Sequence, residues 1–162
     1  MRRVALAGFM GVGKTTLGRG LAAHMGLPFV DLDEEVEAAA GCSVAALFGL
    51  EGEAGFRQRE HAALAAVVQR PAFVLALGGG TAHQPVNAPL LLGLEVFVLE
   101  RPWSELGPAL AADPRRPLAA QAAALFSARA AEAARLGPRV DLRACDPDRA
   151  LARLVAAVEG RA

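Results

Sequence analysis

The chain has 162 residues and a formal net charge of zero, because 17 lysine and arginine residues balance 17 aspartate and glutamate residues. This length suits one domain with a single core, so we expect residues 1–162 to form one domain. Hydrophobic residues make up 54% of the sequence, yet no apolar run approaches the roughly 20 residues that a membrane-spanning helix needs. A neutral chain also lacks the long-range attraction that draws proteins to nucleic acids or anionic membranes. We therefore expect neither as a partner.

The cysteines and the N-terminal segment indicate the compartment. Cys42 and Cys145 are far apart in the sequence and lack the spacing of metal ligands, so we expect two reduced thiols. Glycines and Lys14 interrupt the apolar N-terminal segment, and no small-residue cleavage site follows it, so we expect no secretory signal peptide. These features predict a cytoplasmic protein, and a monomer is the simplest expectation for it.

The first half of the chain alternates apolar runs with segments of helical spacing. An apolar strand from Arg3 to Ala7 ends at Gly8, and a helix follows from Thr15 to Met25. Gly26 and Gly41 follow two of the predicted helices, a position where glycine commonly ends a helix. The next elements in chain order are a strand at Pro28–Leu32, a helix at Glu34–Ala40, a short helix capped by Ser43 that runs to Phe48, and a helix at Glu53–Gln69.

The second half of the chain continues this alternation. Continuous apolar runs predict buried strands at Ala72–Leu77 and Leu94–Leu99. The alanine-rich segment 119–134 predicts a helix, because alanine is the best helix former. A last strand is predicted at Arg139–Leu142, and a terminal amphipathic helix at Pro147–Val158. Strands that alternate with helices imply an α/β fold, a parallel sheet covered on both faces.

The segment between Ala109 and Ala120 departs from this alternation. Two prolines within Asp113-Pro114-Arg115-Arg116-Pro117 disfavour both helix and sheet. We therefore expect a mobile loop at this point of the chain.

A glycine-rich segment follows the first predicted strand and matches the pattern of a phosphate-binding loop, Gly8-Phe9-Met10-Gly11-Val12-Gly13-Lys14-Thr15. Its glycines let backbone N–H groups surround phosphate oxygens, and the helix that follows directs its positive N-terminal end at the same anion. In such loops the lysine reaches the β- and γ-phosphates and the hydroxyl coordinates Mg²⁺. Lys14 is also the only lysine of the chain. We therefore expect an ATP site with one Mg²⁺, formed by Gly11, Val12, Gly13, Lys14, Thr15 and Thr16.

Two further segments follow predicted strands, at the sheet edge where ligands of open α/β folds bind. Alternation along an extended segment would point Asp31 and Asp33 to one side, where one could hold a water on Mg²⁺ and the other a substrate hydroxyl. A helix cap at Asp33 explains that residue equally well. The glycines Gly78–Gly80 would leave room for a small molecule against bare backbone, although a turn that needs positive φ would also explain them.

Two arginines, Arg57 and Arg59, lie on the predicted helix that begins at Glu53. An ion pair on an exposed helical face would explain either of them. From the local pattern alone, we interpret both arginines as solvated surface residues.

Taken in order, these segments resemble the shikimate kinase family over nearly the whole chain. The resemblance rests on Gly-Phe-Met-Gly-Val-Gly-Lys-Thr-Thr at Gly8, Asp-Leu-Asp at Asp31, Gly-Glu-Ala-Gly-Phe-Arg-Gln-Arg-Glu at Gly52, Gly-Gly-Gly at Gly78 and Arg-Pro-Leu at Arg116. It implies a single-domain P-loop kinase fold with a five-stranded parallel sheet of order 2-3-1-4-5, a mobile lid at about residues 110–119 and a substrate-binding region at about residues 33–60.

The resemblance also implies a reaction and roles for single residues. The γ-phosphoryl group of MgATP would pass to the 3-hydroxyl of shikimate, giving shikimate 3-phosphate and ADP, on the route to chorismate and the aromatic amino acids. The expected catalytic residues are Lys14, Asp33 and Arg116, and Arg116 would reach the phosphates of ATP from the lid. The expected shikimate-binding residues are Asp33 for the hydroxyls, Arg57 and Arg129 for the carboxylate, and Gly79 with Gly78 and Gly80 for the ring face. Mg²⁺ would be held by Thr15 and, through water, by Asp31.

Two features depart from the family pattern. Family members often place an arginine against the adenine shortly before the lid arginine, but this chain has Ala109 there. The aromatic residue commonly found shortly after the position of Arg129 is also missing, since the chain contains no tyrosine. The sequence therefore does not assign the adenine contacts.

Two other functions are compatible with the phosphate-binding loop. One is a P-loop kinase that acts on another hydroxyl substrate, such as gluconate or a nucleoside monophosphate. Asp33, Arg57 and Arg129 argue against it, because the set suits a hydroxylated ring that bears a carboxylate. The other is a nucleotide-binding module without catalysis, which would bind ATP but show no turnover with any small acceptor.

Overall fold

The computed structural model describes residues 1–111, 121–133 and 135–160. Its centre is a parallel five-stranded sheet with the strand order β2-β3-β1-β4-β5. The family resemblance implies this strand order, and the structure confirms the prediction of the order. The strands are β1 (Arg3–Gly8), β2 (Phe29–Asp31), β3 (Phe73–Ala76), β4 (Glu95–Glu100) and β5 (Arg139–Asp141).

Helices connect the strands, and most of them agree with the sequence pattern. The helices of the described residues are α1 (Lys14–Met25), α2 (Leu32–Ala40), α3 (Val44–Val67), α4 (Ala88–Leu91), α5 (Trp103–Ala111), α6 (Ala122–Ala133) and α7 (Pro147–Glu159). Two short 3₁₀ turns, Thr81–His83 and Pro85–Asn87, lie between β3 and α4. The sequence pattern did not indicate α4 or α5. The predicted mobile loop at Asp113–Pro117 lies outside the described residues.

The sheet is covered on both faces, as the alternation of strands and helices predicts. Successive residues of a strand point to opposite faces, so Val4 and Leu6 pack toward α1 and α7, whereas Ala5 and Ala7 pack toward α3. Phe97 of β4 is fully buried in the first of these two layers. Replacing such a core phenylalanine with alanine typically lowers the free energy of unfolding by about 3–5 kcal/mol.

Helix α3 combines two helices that the sequence predicts separately. Ser43 caps its first turn as expected, and the Ser43 side chain accepts a hydrogen bond from the backbone N–H of Ala46 at 3.1 Å. The backbone at Gly52 is non-helical, with φ 68° and ψ −175°, so the axis is kinked there. The segment after the kink carries Arg57 and Glu60 toward the carboxyl edge of the sheet.

Two expectations drawn from composition can be compared with the structure. No helix within the described ranges is both long enough and apolar enough to cross a bilayer. Cys42 and Cys145 are free thiols, as predicted.

Candidate active site

The segments singled out in the sequence lie side by side at the carboxyl edge of the sheet. Strand β1 leads into the segment Gly8–Thr15, called here the phosphate loop, and β2 ends at Asp31. Strand β3 leads into the three glycines Gly78–Gly80, called here the glycine turn. Because β3 pairs with both β1 and β2, these three segments are neighbours. Ligands of open parallel sheets bind at this edge.

The phosphate loop has the backbone and the charge that anion binding needs. Gly11 and Gly13 have φ of 79° and 111°, a region that residues with side chains rarely adopt. Helix α1 begins at Lys14, so its N-terminal N–H groups belong to the loop. The Lys14 ammonium donates hydrogen bonds to the carbonyls of Gly8 at 2.7 Å and Phe9 at 3.1 Å. The loop therefore combines backbone donors, a helix N-terminus and one ammonium group.

The end of β2 is tied to the phosphate loop by a hydroxyl–carboxylate hydrogen bond. Thr15 Oγ1 donates to Asp31 Oδ2 at 2.6 Å, and Asp31 Oδ1 accepts from the backbone N–H of Asp33 at 3.0 Å. Asp31 is therefore the N-cap of α2, which begins at Leu32 and not at Glu34. The extended geometry predicted through Asp33 and the cap predicted at Asp33 are therefore both wrong, whereas the roles predicted for the two carboxylates do not depend on either. The Asp31 carboxylate satisfies a free N–H group and starts the helix earlier.

The Asp33 carboxyl group lies in the first turn of α2 and is half-buried. Burial raises its pKa from 3.8 to about 6, and the negative charges of Asp31 and Glu60 add to the rise, while Lys14 opposes it. A carboxylate with a raised pKa is a better proton acceptor than an ordinary aspartate at neutral pH. The environment thus prepares Asp33 to accept a hydrogen bond or a proton from a hydroxyl group.

Arg57 is enclosed and not a solvated surface residue, so that interpretation is wrong. Its side chain is 13% exposed. Arg57 Nη1 donates to Glu60 Oε2 at 2.8 Å, and Nη2 donates to Glu53 Oε1 at 3.3 Å. Arg57 Nε is buried and has no hydrogen-bond partner among the described residues. Arg59, by contrast, is 43% exposed and pairs with Glu51, as expected of a surface ion pair.

Arg57 and Arg129 converge on the glycine turn from two different helices. Arg129 of α6 donates from Nη1 to the carbonyl of Gly79 at 3.0 Å. A Cβ atom at Gly80 would lie 2.6 Å from Arg57 Nη2 and 3.0 Å from Arg129 Nη2, so both guanidinium groups approach bare backbone there. Burial, followed by the positive charge of Arg57, lowers the pKa of Arg129 from its ordinary value. Two cations held this close favour an anion between or beside them.

Two buried residues complete the site and were not predicted from the sequence. Glu60 is fully buried, accepts the hydrogen bond from Arg57, and accepts a second one from Thr81 Oγ1 at 2.5 Å. Thr81 follows the glycine turn directly and is also fully buried. We call Asp33, Arg57, Glu60, Thr81 and Arg129 the substrate cluster.

Family comparison agrees with this geometry. The sequence model of the shikimate kinase family matches residues 10–146 of this chain. The chain belongs to the shikimate kinase family. A shikimate kinase from Bordetella avium (strain 197N) is 46% identical over 121 residues, which are 74% of this chain and 57% of that relative. One from Burkholderia pseudomallei (strain 1710b) is 46% identical over 101 residues, 61% of this chain and 55% of the relative. The matched region thus spans little more than half the length of these curated relatives.

Solved structures of shikimate kinases share this fold. The shikimate kinase from Acinetobacter baumannii, in complex with shikimate, matches with a TM-score of 0.90 at 29% identity, covering 99% of this chain and 94% of that one. The shikimate kinase from Aquifex aeolicus has a TM-score of 0.86 at 26% identity, with coverage of 99% and 98%. A gluconokinase from Sinorhizobium meliloti 1021 is more distant, with a TM-score of 0.57 at 17% identity, and this likeness shows the fold alone.

The structure brings together most of the residues predicted from the shikimate kinase resemblance. Lys14, Thr15 and Asp31 meet at the phosphate loop, and Asp33, Arg57 and Arg129 meet at the glycine turn. Thr16 lies exposed on α1 and Val12 is buried in the loop. Arg116 lies outside the described residues.

The sequence contained one indication of Glu60, its spacing from Arg57. This spacing did not show whether Arg57 is a surface residue or a substrate-binding residue. Arg57 and Glu60 are three residues apart, the spacing of an ordinary helical ion pair. Only the burial of both side chains marks the pair as part of a site, and burial depends on contacts between elements. For Thr81 the sequence offered no such signal beyond its position after three glycines.

A cavity of about 620 Å³ borders Arg129. Its lining includes Phe9, Val98, Phe126 and Leu136 as well as Arg129, but it does not include Lys14, Asp31, Asp33 or Arg57. Because Gly8 and Phe9 belong to the phosphate loop and Arg129 to the substrate cluster, the cavity borders both regions.

Proposed function

We propose that this member of the shikimate kinase family transfers the γ-phosphoryl group of MgATP to the 3-hydroxyl of shikimate, giving shikimate 3-phosphate and ADP. The reaction belongs to the route to chorismate and the aromatic amino acids. The observation that carries the proposal is the convergence of Arg57 and Arg129 on the glycine turn, beside Asp33 and next to a phosphate loop. A hydroxylated ring that bears a carboxylate fits this combination of charges.

The two arginines would bind the shikimate carboxylate. Guanidinium groups are planar and form paired hydrogen bonds with carboxylates, so they fix orientation as well as charge. Arg57 Nε is buried without a partner among the described residues, and a buried unpaired donor is costly unless a ligand satisfies it. The glycine turn would lie against the ring face, because it offers bare backbone there. A side chain at Gly80 would collide with both guanidinium groups.

Asp33 would orient the attacking hydroxyl group. Its raised pKa, about 6, leaves it ionised at neutral pH and ready to accept the hydroxyl proton. Phosphoryl transfer needs little covalent chemistry from the protein, so positioning and charge compensation would supply most of the rate enhancement. In this arrangement Lys14 and the loop N–H groups would hold the phosphates, and Asp33 would hold the acceptor in line with them.

Thr15 of α1 and Asp31 at the end of β2 fit one Mg²⁺ bound together with ATP. Magnesium is commonly held by one or two carboxylates and the substrate phosphates, with water completing the shell. The Thr15 hydroxyl and the Asp31 carboxylate are 2.6 Å apart at the mouth of the phosphate loop, so Thr15 would coordinate directly and Asp31 through water. No group of three or more His, Cys, Asp or Glu side chains suited to a metal occurs in the described part of the chain. When bound, Mg²⁺ would neutralise charge on the phosphates.

A lid at about residues 110–119 with Arg116 and a substrate-binding region at about residues 33–60 remain part of the proposal. The lid lies almost wholly outside the described residues, so it is supported by the two prolines and the family resemblance. Closure would exclude water from the phosphates, because an open site would hydrolyse ATP. We further propose a cytoplasmic location, which the free thiols support, and a monomer, which light scattering of the purified protein would test.

The decisive experiment measures ADP release with MgATP and a panel of acceptors: shikimate, gluconate, nucleoside monophosphates and none. We expect stoichiometric ADP and a phosphorylated product with shikimate alone. Turnover with another acceptor would keep the phosphate loop but reassign the substrate cluster. Binding of ATP without turnover on any acceptor would favour a nucleotide-binding module.

A further inference from the structure

Fully buried polar side chains are concentrated in one place. Among the described residues, the fully buried polar or charged ones are Glu60, Thr81 and Asn87. Burying a polar group without a hydrogen-bond partner is unfavourable, so such groups are nearly always paired. Here the three residues are paired with one another through a connected network. A fully paired buried network of this kind restricts the motion of the side chains that it contains.

The network runs from the protein interior to the substrate cluster. His61 Nδ1 and Asn87 Oδ1 are 2.7 Å apart, and Asn87 Nδ2 donates to the carbonyl of Thr81 at 2.9 Å. Thr81 Oγ1 donates to Glu60 Oε1 at 2.5 Å, and Glu60 Oε2 accepts from Arg57 Nη1 at 2.8 Å. The chain of contacts therefore ends on the guanidinium group assigned to the substrate carboxylate.

The glycine turn packs directly over this network. A Cβ atom at Gly78 would lie 2.6 Å from Glu60 Oε1, 2.8 Å from Thr81 Oγ1 and 3.2 Å from Asp33 Oδ1. The Thr81 hydroxyl thus sits beneath the turn, within the same small volume as the carboxyl groups of Glu60 and Asp33. Hydrogen bonds connect Thr81 and Glu60 to Arg57, whereas the Asp33 backbone N–H donates to Asp31.

We propose that Thr81 is a positioning residue for substrate binding, an inference that rests on the proposed function. Its hydroxyl holds the Glu60 carboxylate in the one orientation that also holds Arg57, while Asn87 and His61 fix Thr81 itself. Without the hydroxyl, Glu60 Oε1 is a buried carboxylate oxygen that has lost a donor. The carboxylate then turns, and Arg57 is released from its place over the glycine turn.

The proposal predicts a selective loss of shikimate affinity. Thr81→Val keeps the shape of the side chain and removes the hydroxyl. We expect it to raise the shikimate KM and the calorimetric Kd for shikimate about tenfold, the scale of a hydrogen bond to a charged group. The ATP KM should stay within about twofold, because the Thr81 hydroxyl acts on Glu60 and, through it, on Arg57. Thr81→Ser keeps the hydroxyl and should bind shikimate within about twofold of the original protein.

A double-mutant comparison separates positioning from a general structural role. If Thr81 acts through Glu60, Thr81→Val should change the shikimate Kd by less than about twofold in a Glu60→Gln background. Ser43→Ala is the matched control, since it removes a cap of α3 away from the site. It should lower the melting temperature by about 2–4 °C and leave the shikimate Kd unchanged.

Three outcomes would overturn the proposal: equal losses of ATP and shikimate affinity in Thr81→Val, an unchanged shikimate Kd, or full additivity with Glu60→Gln. Thr81→Ala is the second hydroxyl-free variant. If neither it nor Thr81→Val folds while Thr81→Ser does, the hydroxyl is needed for folding and the positioning role is rejected. Failure of the proposed function is distinguishable, because the unaltered protein would then neither bind shikimate by calorimetry nor phosphorylate it.

Discussion

The phosphate loop and the substrate cluster are neighbours at one sheet edge but are built in opposite ways. The phosphate loop is one continuous segment whose function depends on its own backbone, with φ of 79° at Gly11 and 111° at Gly13. The substrate cluster is assembled from side chains of α2, α3, α6 and the turn after β3. The phosphate loop, formed by one segment, should tolerate changes elsewhere in the fold. The substrate cluster depends on the packing of every helix and turn that contributes a side chain.

The charged groups of the two regions also differ in their exposure to solvent. The phosphate loop presents donors and one ammonium to solvent and to the incoming nucleotide. The substrate cluster encloses two guanidinium groups and two carboxyl groups, and Glu60 and Thr81 are both fully buried. Enclosed charges interact more strongly than exposed ones. Substitutions of the two arginines, Glu60 or Thr81 should therefore affect shikimate binding selectively, and substitutions in the phosphate loop should affect turnover.

The largest expected effect is that of Lys14→Ala. Removing the ammonium that is proposed to bind the transferred phosphate should lower kcat at least about a hundredfold, the scale of losing a preorganised charge at the reacting group. Steady-state kinetics of ADP release would measure it. Shikimate binding by calorimetry should be retained, since Lys14 belongs to the other region. Near-normal turnover would show that the loop does not act on the phosphates as proposed.

Arg57→Ala should have the next largest effect and should act on the other substrate. We expect the shikimate KM to rise about tenfold to a hundredfold, because charge-assisted hydrogen bonds contribute about 1.5–3 kcal/mol each. The ATP KM should be retained. Arg59→Ala is a matched control on the same helix, since Arg59 is 43% exposed and pairs with Glu51. Similar effects of the two variants would contradict the assignment.

The pH profile tests Asp33. Its pKa of about 6 means that the carboxylate form is lost as pH falls through 6. If the carboxylate orients the acceptor, kcat/KM for shikimate should be about tenfold lower at pH 5 than on its plateau, because this ratio reports the free enzyme. Asp33→Asn should lower kcat more than ATP affinity and remove this limb of the profile. An unchanged limb in the variant would assign the titration to another group.

The same group should influence stability in the opposite direction. The folded pKa, about 6, lies above the ordinary value of 3.8, so the folded state binds the proton more tightly. Stability should therefore fall as pH rises from about 4 to about 6, by about 1–3 kcal/mol if Asp33 acts alone. Denaturant unfolding of Asp33→Asn should show a smaller fall over this range.

The smallest expected effect is that of Gly80→Ala, which tests the close approach of the two guanidinium groups. The φ of Gly80 is −114°, so alanine brings no backbone strain and acts only by crowding Arg57 and Arg129. The shikimate KM should rise about threefold to tenfold, since the side-chain ends can shift at modest cost. Gly49→Ala is the control, because a Cβ there meets nothing within 4 Å. Equal behaviour of both variants would argue against convergence at Gly80.

Much of the fold followed from local pattern, and the exceptions have physical causes. All five strands were predicted, because buried parallel strands are continuous apolar runs. Helix α5 was not, since it contains Gly107 and Pro108, two poor helix formers that contacts within the fold tolerate. The start of α2 was misplaced by two residues, because Asp31 and not Asp33 accepts the capping hydrogen bond.

By itself the sequence determined the phosphate loop, because its glycines, its lysine and the helix that follows are consecutive and act through local backbone conformation. The family resemblance already selected Arg57, but only the tertiary structure shows the burial that separates it from Arg59. Arg57 and Arg59 have nearly the same local sequence environment, yet one is enclosed by Glu60 and the glycine turn while the other faces solvent. Burial of a helix face depends on what packs against it, and that information lies in distant segments of the chain.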